Sequence, residues 1–82
     1  MITQIEDEVE VLVHFHQGHF KPLRFLWKNH SYSIGSITCE YRTCDGGNAF
    51  IHFATLSSGN LYELTYNLQN HHWQLTKVQP KN

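Results

Sequence analysis

The sequence predicts an all-β domain, a six-stranded antiparallel meander that closes into a small barrel or a strongly curved sheet. Three observations carry that expectation. Apolar residues alternate with period two in segment after segment, turn signals recur about every 8–12 residues, and no stretch carries a helical period. Composition agrees: five Phe, four Tyr and two Trp stand among many Thr, Val and Ile, while alanine occurs only at Ala49 and Ala54. Aromatic and β-branched side chains suit the pleated, half-buried surface of a sheet.

The first strand sets Val9, Val11, Val13 and Phe15 against Glu8, Glu10, Leu12, His14 and His16, with the Val and Phe set facing inward. Gln17-Gly18-His19 reads as a turn, and Pro22, which has no amide proton for a ladder, belongs at a strand start or edge. A second strand has Leu23, Phe25 and Trp27 on one face and Arg24, Leu26 and Lys28 on the other. Asn29-His30 is the next connection, since Asn tolerates the left-handed conformation of a tight hairpin. The third strand begins at Ser31 with Tyr32 and Ile34 inward. Past Gly35 its apolar phase slips to Ile37, Cys39 and Tyr41, the mark of a bulge or a corner.

Thr43 to Asn48 reads as the clearest loop of the chain. Ala49 to Leu56 is apolar on both faces and therefore central, and Ser57 to Asn60 is a hairpin turn. The fifth strand sets Tyr62, Leu64 and Tyr66 against Glu63 and Thr65. After a polar connection from Asn67 to His72, Trp73, Leu75 and Lys77 alternate with Gln74, Thr76 and Val78 in the last strand, and Pro80 to Asn82 is a frayed end. Barrel closure is attractive because an open sheet of this composition has long adhesive edges.

With 82 residues there is room for one domain, 1–82, with an ordered core over about residues 8–79. A chain of this size buries only about 60–65% of its unfolded surface, so its core is small. The formal charge of −1 gives no electrostatic footprint for nucleic acid or an anionic membrane. Protonating all seven histidines would move it from −1 to +6, which ties surface charge to acidity below about pH 6.5. The acidic N-terminus lacks the basic and apolar regions of a secretory signal, and no stretch reaches the roughly 18–20 apolar residues of a membrane span. A cytoplasmic setting with Cys39 and Cys44 as thiols is the expectation, Cys39 as a small buried residue and Cys44 in a loop.

Gly18, Pro22, Phe25, Trp27, Asn29, Tyr32 and Ile34, followed by Gly59, Leu64, Trp73, Leu75 and Val78, resemble a family of small bacterial all-β domains of unknown function. The family pattern reads Gly…Pro-x-x-Phe-x-Trp-x-Gly-x-x-Tyr-x-Val…Trp-x-Leu. Asn29 stands at its central glycine, and the spacing from Gly18 to Pro22 is longer than the family's. The resemblance implies a fold built on packing and turn residues and supplies no catalytic residue. Some members are encoded near translesion DNA polymerases, which implies a nucleic-acid context by association.

Three side-chain groups are candidates for chemistry. His14 and His16 project from one face of a strand, and His19 follows the turn, so three imidazoles are available for zinc or copper, with His52 or Glu63 as a further ligand. Against this, two histidines on the solvated face of an outer strand are the commoner arrangement. Trp27, Tyr32, Tyr41, Phe53, Tyr62, Tyr66 and Trp73, with Arg24, Lys28, Arg42 and Lys77 as cations, include the makings of a platform for single-stranded nucleic acid. In so small a domain most of those rings are core. Leu12 and Leu26, on the faces opposite the main apolar set, mark a surface for a protein partner or a homodimer. Cys39 and Cys44 have the wrong spacing for a Cys-x-x-Cys site, and no phosphate loop, acid pair or nucleophile elbow appears. The leading expectation is a non-enzymatic binding module without a cofactor. The alternatives are a histidine-based zinc protein and a single-strand nucleic-acid binder.

Overall fold

Four two-residue hairpins set the course of the chain. Their central pairs, Gln17-Gly18, Lys28-Asn29, Gly46-Gly47 and Ser58-Gly59, all have positive φ at both positions. That backbone twist matches the right-handed twist of the flanking strands, which is why such turns dominate short hairpins. In the computed structural model, which describes residues 3–80, they organise eight strands. These are β1 (Thr3–Glu8), β2 (Glu10–His16), β3 (His19–Trp27), β4 (His30–Ser33), β5 (Ser36–Asp45), β6 (Asn48–Ser57), β7 (Asn60–Asn67) and β8 (Trp73–Gln79).

The strands form two antiparallel sheets, one of five strands in the order β1-β8-β7-β6-β5 and one of three in the order β2-β3-β4. The six strands expected from the sequence therefore become eight, and the described residues form no closed barrel. One extra strand, β1, lies in the acidic N-terminal stretch, where charge masks the short apolar signal of Ile5. The other comes from dividing the strand expected around Gly35 into β4 and β5.

That division is where the chain changes sheets. Ile34 N–H bonds Leu23 O in the small sheet at 2.9 Å, and the next amide, Gly35 N–H, bonds Leu56 O in the large sheet at 2.8 Å. A corner was expected here. Its bulge, however, lies between Ile37 and Cys39, and a Cβ added at Gly35 would meet Leu56 O at an ordinary 3.6 Å. A second crossing occurs at buried Val9, between β1 and β2, whose N–H bonds Trp73 O at 3.2 Å.

Val9 and Phe25 on the small-sheet side meet Tyr62, Leu64 and Leu75 on the large sheet, with Ile5, Val11, Trp27, Tyr32, Ile34, Trp73 and Val78 packed around them. Phe25 stacks on Tyr32 at 4.9 Å and meets Tyr62 edge-on at 5.3 Å, a geometry that aromatic quadrupoles favour. The Trp27 indole N–H donates to Asp7 Oδ2 at 2.9 Å and ties the small sheet to the edge strand β1. A Cα radius of gyration of 12.2 Å is close to the ~12 Å of a folded chain this long.

Several local expectations shift. The turn expected at Asn29-His30 is Lys28-Asn29, with Trp27 opposite His30. The loop expected from Thr43 to Asn48 is mostly strand, reduced to the Gly46-Gly47 turn. Phe15 is 68% exposed beside the β2–β3 turn and stacks on Phe20. Leu23 is 40% exposed, at the bulge that interrupts the β2–β3 ladder. Cys39, expected to be buried, is exposed on β5, as is Cys44. Strand β6 is internal, between β5 and β7, as its two apolar faces required. Of the tail from Pro80 to Asn82, Lys81 and Asn82 lie outside the described residues.

Candidate functional site

The histidines of the β2–β3 hairpin meet β5 across an open groove of about 440 Å³. His14, His16, His19, Phe20 and Lys21 line one side, with Ile37 and Glu40 opposite. The His14 and His16 rings stack with centroids 6.0 Å apart and planes 15° from parallel, and His16 pairs across the ladder with His19. The structure thus brings the three histidines to one groove without converging them. Imidazole lone pairs lie in the ring plane, so stacked rings aim them along parallel lines, whereas a tetrahedral zinc needs them aimed at one point. Among the described residues no group of three His, Cys, Asp or Glu side chains is close enough to hold a metal. His52 and Glu63, the possible further ligands, lie together elsewhere, on the large sheet.

The outer face of the small sheet holds the two predicted leucines. Leu12 lies opposite Arg24, and Leu26 lies opposite Glu10, so the leucines sit diagonally with one charge of each sign beside them. They are 60% and 40% exposed and line a shallow groove of about 260 Å³ with Glu10, Arg24 and Ser31. Lys28 occupies the β3–β4 turn, its ammonium 5.0 Å over the Trp27 ring. Arg42 and Lys77 are on the large sheet, so the four cations named for a nucleic-acid platform are divided. The predicted stacking platform is dispersed as well. Trp27, Tyr32, Phe53, Tyr62, Tyr66 and Trp73 make ring contacts with one another, with the core ring Phe25 or with half-buried Phe20, and Tyr41 alone of the set has substantial exposure, at 38%.

The large sheet carries a polar network that the sequence did not disclose. Glu63 on β7 is only 6% exposed. Tyr41 donates to its Oε2 at 2.6 Å, Thr76 donates to its Oε1 at 2.7 Å, and the Lys77 ammonium lies 3.7 Å from Oε2. Because the carboxylate only accepts, the directions propagate outward. The Thr76 hydroxyl proton goes to Glu63, so Thr76 accepts from Thr65 at 2.9 Å. Thr65 in turn accepts from His52 Nδ1–H at 2.9 Å, and His52 Nε2 accepts from Thr43 at 2.7 Å. This chain of donors assigns His52 its Nδ1-protonated tautomer.

The electrostatics agree with a neutral ring and a charged acid. Burial holds the His52 pKa below its ordinary value, and Lys77 adds to that effect against the pull of Glu63. Burial alone would raise Glu63. The hydrogen bonds from Tyr41 and Thr76, with the charge of Lys77 and the field of His52, outweigh it and hold the carboxyl below its ordinary value. The hydrogen bond to Glu63, with burial second, pushes the Tyr41 phenol up to about 12.

Thr43, His52 and the distant carboxylate follow the order of a nucleophile, a base and an orienting acid. Two threonines intervene between base and acid, however, and Thr43 lies on an exposed edge strand. Every buried side-chain nitrogen and oxygen among the described residues has a partner. The network is satisfied within the chain and acts as a brace joining β5, β6, β7 and β8. Period-two reading does place Glu63 and Thr65 on one face. The register that sets Tyr41, His52 and Thr76 around them is a property of the assembled sheet.

His71 and His72 lie in the β7–β8 connection, His71 hydrogen-bonded to the Tyr66 hydroxyl and His72 Nδ1 3.3 Å from Glu8. Among the described residues no helix is long and apolar enough to cross a membrane. No known protein family, curated protein or solved structure matches the chain.

Proposed function

We propose that the chain is a small non-enzymatic interaction module that docks a protein partner on the outer face of its three-stranded sheet. The exposure of Leu12 and Leu26 side by side carries this reading. Fully burying a leucine side chain is worth about 1.5–3 kcal/mol, so even a partial covering of both contributes a useful share of a binding energy. Glu10 and Arg24 beside them favour a partner that presents apolar side chains flanked by one basic and one acidic group. A nucleic acid fits less well, because the formal charge is −1 and the cations are divided between two sheets.

The test uses the purified protein as bait beside a Leu12→Ser/Leu26→Ser double variant, followed by titration of the captured partner in purified form. The reading expects the double variant to bind at least tenfold more weakly while keeping the wild-type circular dichroism spectrum. Equal affinity of the two proteins overturns it.

A further inference from the structure

We propose that two copies of the chain join through their β5 edges, antiparallel about a two-fold axis at Tyr41, so that one sheet runs through both. This surface is separate from the leucine face and does not rest on it.

The two sheets have four edge strands, β1, β5, β2 and β4, and unpaired edges invite pairing unless something blunts them. Strand β1 is acidic and its ladder slips between Gln4 and Asp7, β2 slips between Leu12 and Val13, and β4 has only four residues. Strand β5 has ten residues, contains neither Pro nor Lys, and is exposed at every position except Ile37. Its bulge lies toward one end, leaving Cys39 to Asp45 in unbroken register with β6.

The Gly46-Gly47 hairpin fixes which backbone groups are free. In a two-residue hairpin the flanking pair, here Asp45 and Asn48, exchanges hydrogen bonds, so Thr43 and Tyr41 also turn their N–H and C=O toward β6. Cys44, Arg42 and Glu40 turn theirs outward. A symmetric antiparallel partner must set outward residues opposite outward residues, which leaves few central registers. Centring on Glu40 or on Arg42 puts like charges face to face. Centring on Tyr41 puts Glu40 opposite Arg42 of the second copy, twice by symmetry, with Tyr41 opposite Tyr41 and Cys39 opposite Thr43. Neither Glu40 nor Arg42 has an ion-pair partner within its own chain among the described residues. A second copy supplies both partners.

Sedimentation equilibrium and native mass spectrometry of the purified protein test this directly. The wild type sediments as a dimer, Glu40→Arg and Arg42→Glu each shift it to monomer, and the double exchange restores the dimer. A Thr43→Cys/Cys44→Ser variant adds a covalent test. Within one strand, positions 39 and 43 lie ~13 Å apart and cannot bridge, so oxidation gives a disulfide only between chains. A monomeric wild type, failure of the double exchange to restore the dimer, or the absence of the disulfide-linked species overturns the proposal. Conversion to monomer by Leu12→Ser/Leu26→Ser, with the charge variants still dimeric, also overturns it and moves self-association to the leucine face.

Discussion

The Tyr41 hydroxyl reaches from β5 across β6 to Glu63 on β7 and donates to Oε2 at 2.6 Å. The β6 residue between the two strands there is Ala54, paired with Cys39 on one side and Glu63 on the other, and its methyl leaves the path open. Tyr41 also stacks on His52, with ring centroids 4.5 Å apart. A phenol from an edge strand thus secures a buried acid two strands away.

Removing that hydroxyl in Tyr41→Phe costs about 1.5 kcal/mol, the low end of the range for a bond to a charged group because Tyr41 is partly exposed. Urea unfolding measures the loss. Alkaline absorbance titration supplies the specific readout: one tyrosine ionises near 12 in the wild type, and that step is missing from the variant.

Replacing the acid itself is more costly. Glu63→Gln leaves one oxygen to accept from both Tyr41 and Thr76, and leaves Lys77 without a counter-charge. The expected loss is about 1–3 kcal/mol, and urea unfolding of the variant at neutral pH checks it.

Stability should peak in a defined pH window. His52 has a folded pKa below its ordinary 6.5, so its contribution is complete above 6.5 and is lost as pH falls through the folded value. Glu63, lowered from 4.5, behaves the same way further into acid. Tyr41, raised from 10.0 to about 12, contributes fully below 10 and loses that contribution as pH rises toward 12. Melting temperatures across pH should therefore be highest between about 6.5 and 10 and fall on both sides. A maximum below pH 5 would contradict these assignments.

The core and the leucine face should separate cleanly under mutation. Phe25→Ala removes a ring held between Tyr32 and Tyr62 and costs about 3–5 kcal/mol, a large part of the stability of so small a domain. Leu12→Ser changes stability by no more than about 0.5 kcal/mol, because its side chain already stands in solvent. Paired denaturation curves distinguish the two.

A turn variant checks the hairpin geometry. Lys28 and Asn29 both hold left-handed φ, at 51° and 65°, a demand that Asn-Gly meets with less strain. The double change Lys28→Asn/Asn29→Gly should raise stability by about 0.5–1 kcal/mol in the same urea assay.

What the sequence disclosed follows from the range of each signal. Period-two alternation and glycine-bearing turns act over a few residues, so the strand class, the internal place of β6 and the corner near Gly35 were legible. Leu12 and Leu26 were legible as outward side chains for the same reason. The division into two sheets was not. It depends on Ile34 and Gly35 bonding to different sheets, through residues far away in the chain. Strand β1 was hidden because its partner, β8, lies at the other end of the sequence. The alternation in β5 misled the reading of Cys39 and Tyr41, because the bulge between Ile37 and Cys39 turns both onto the outer face of the large sheet, where Cys39 pairs with Ala54 and Tyr41 with His52. The Glu63 network was hidden for the reason β1 was: its members come from four strands and meet only in the finished register.

The central claim is that the leucine face is a protein-docking surface, and site-specific photo-cross-linking tests it most directly. A photoreactive residue replaces Leu12, and a control places it at Lys77 on the other sheet. The account predicts a discrete adduct from position 12 that Leu26→Asp abolishes without unfolding the domain, and no such adduct from position 77. Adducts that persist in Leu26→Asp, or that form equally from position 77, would contradict it.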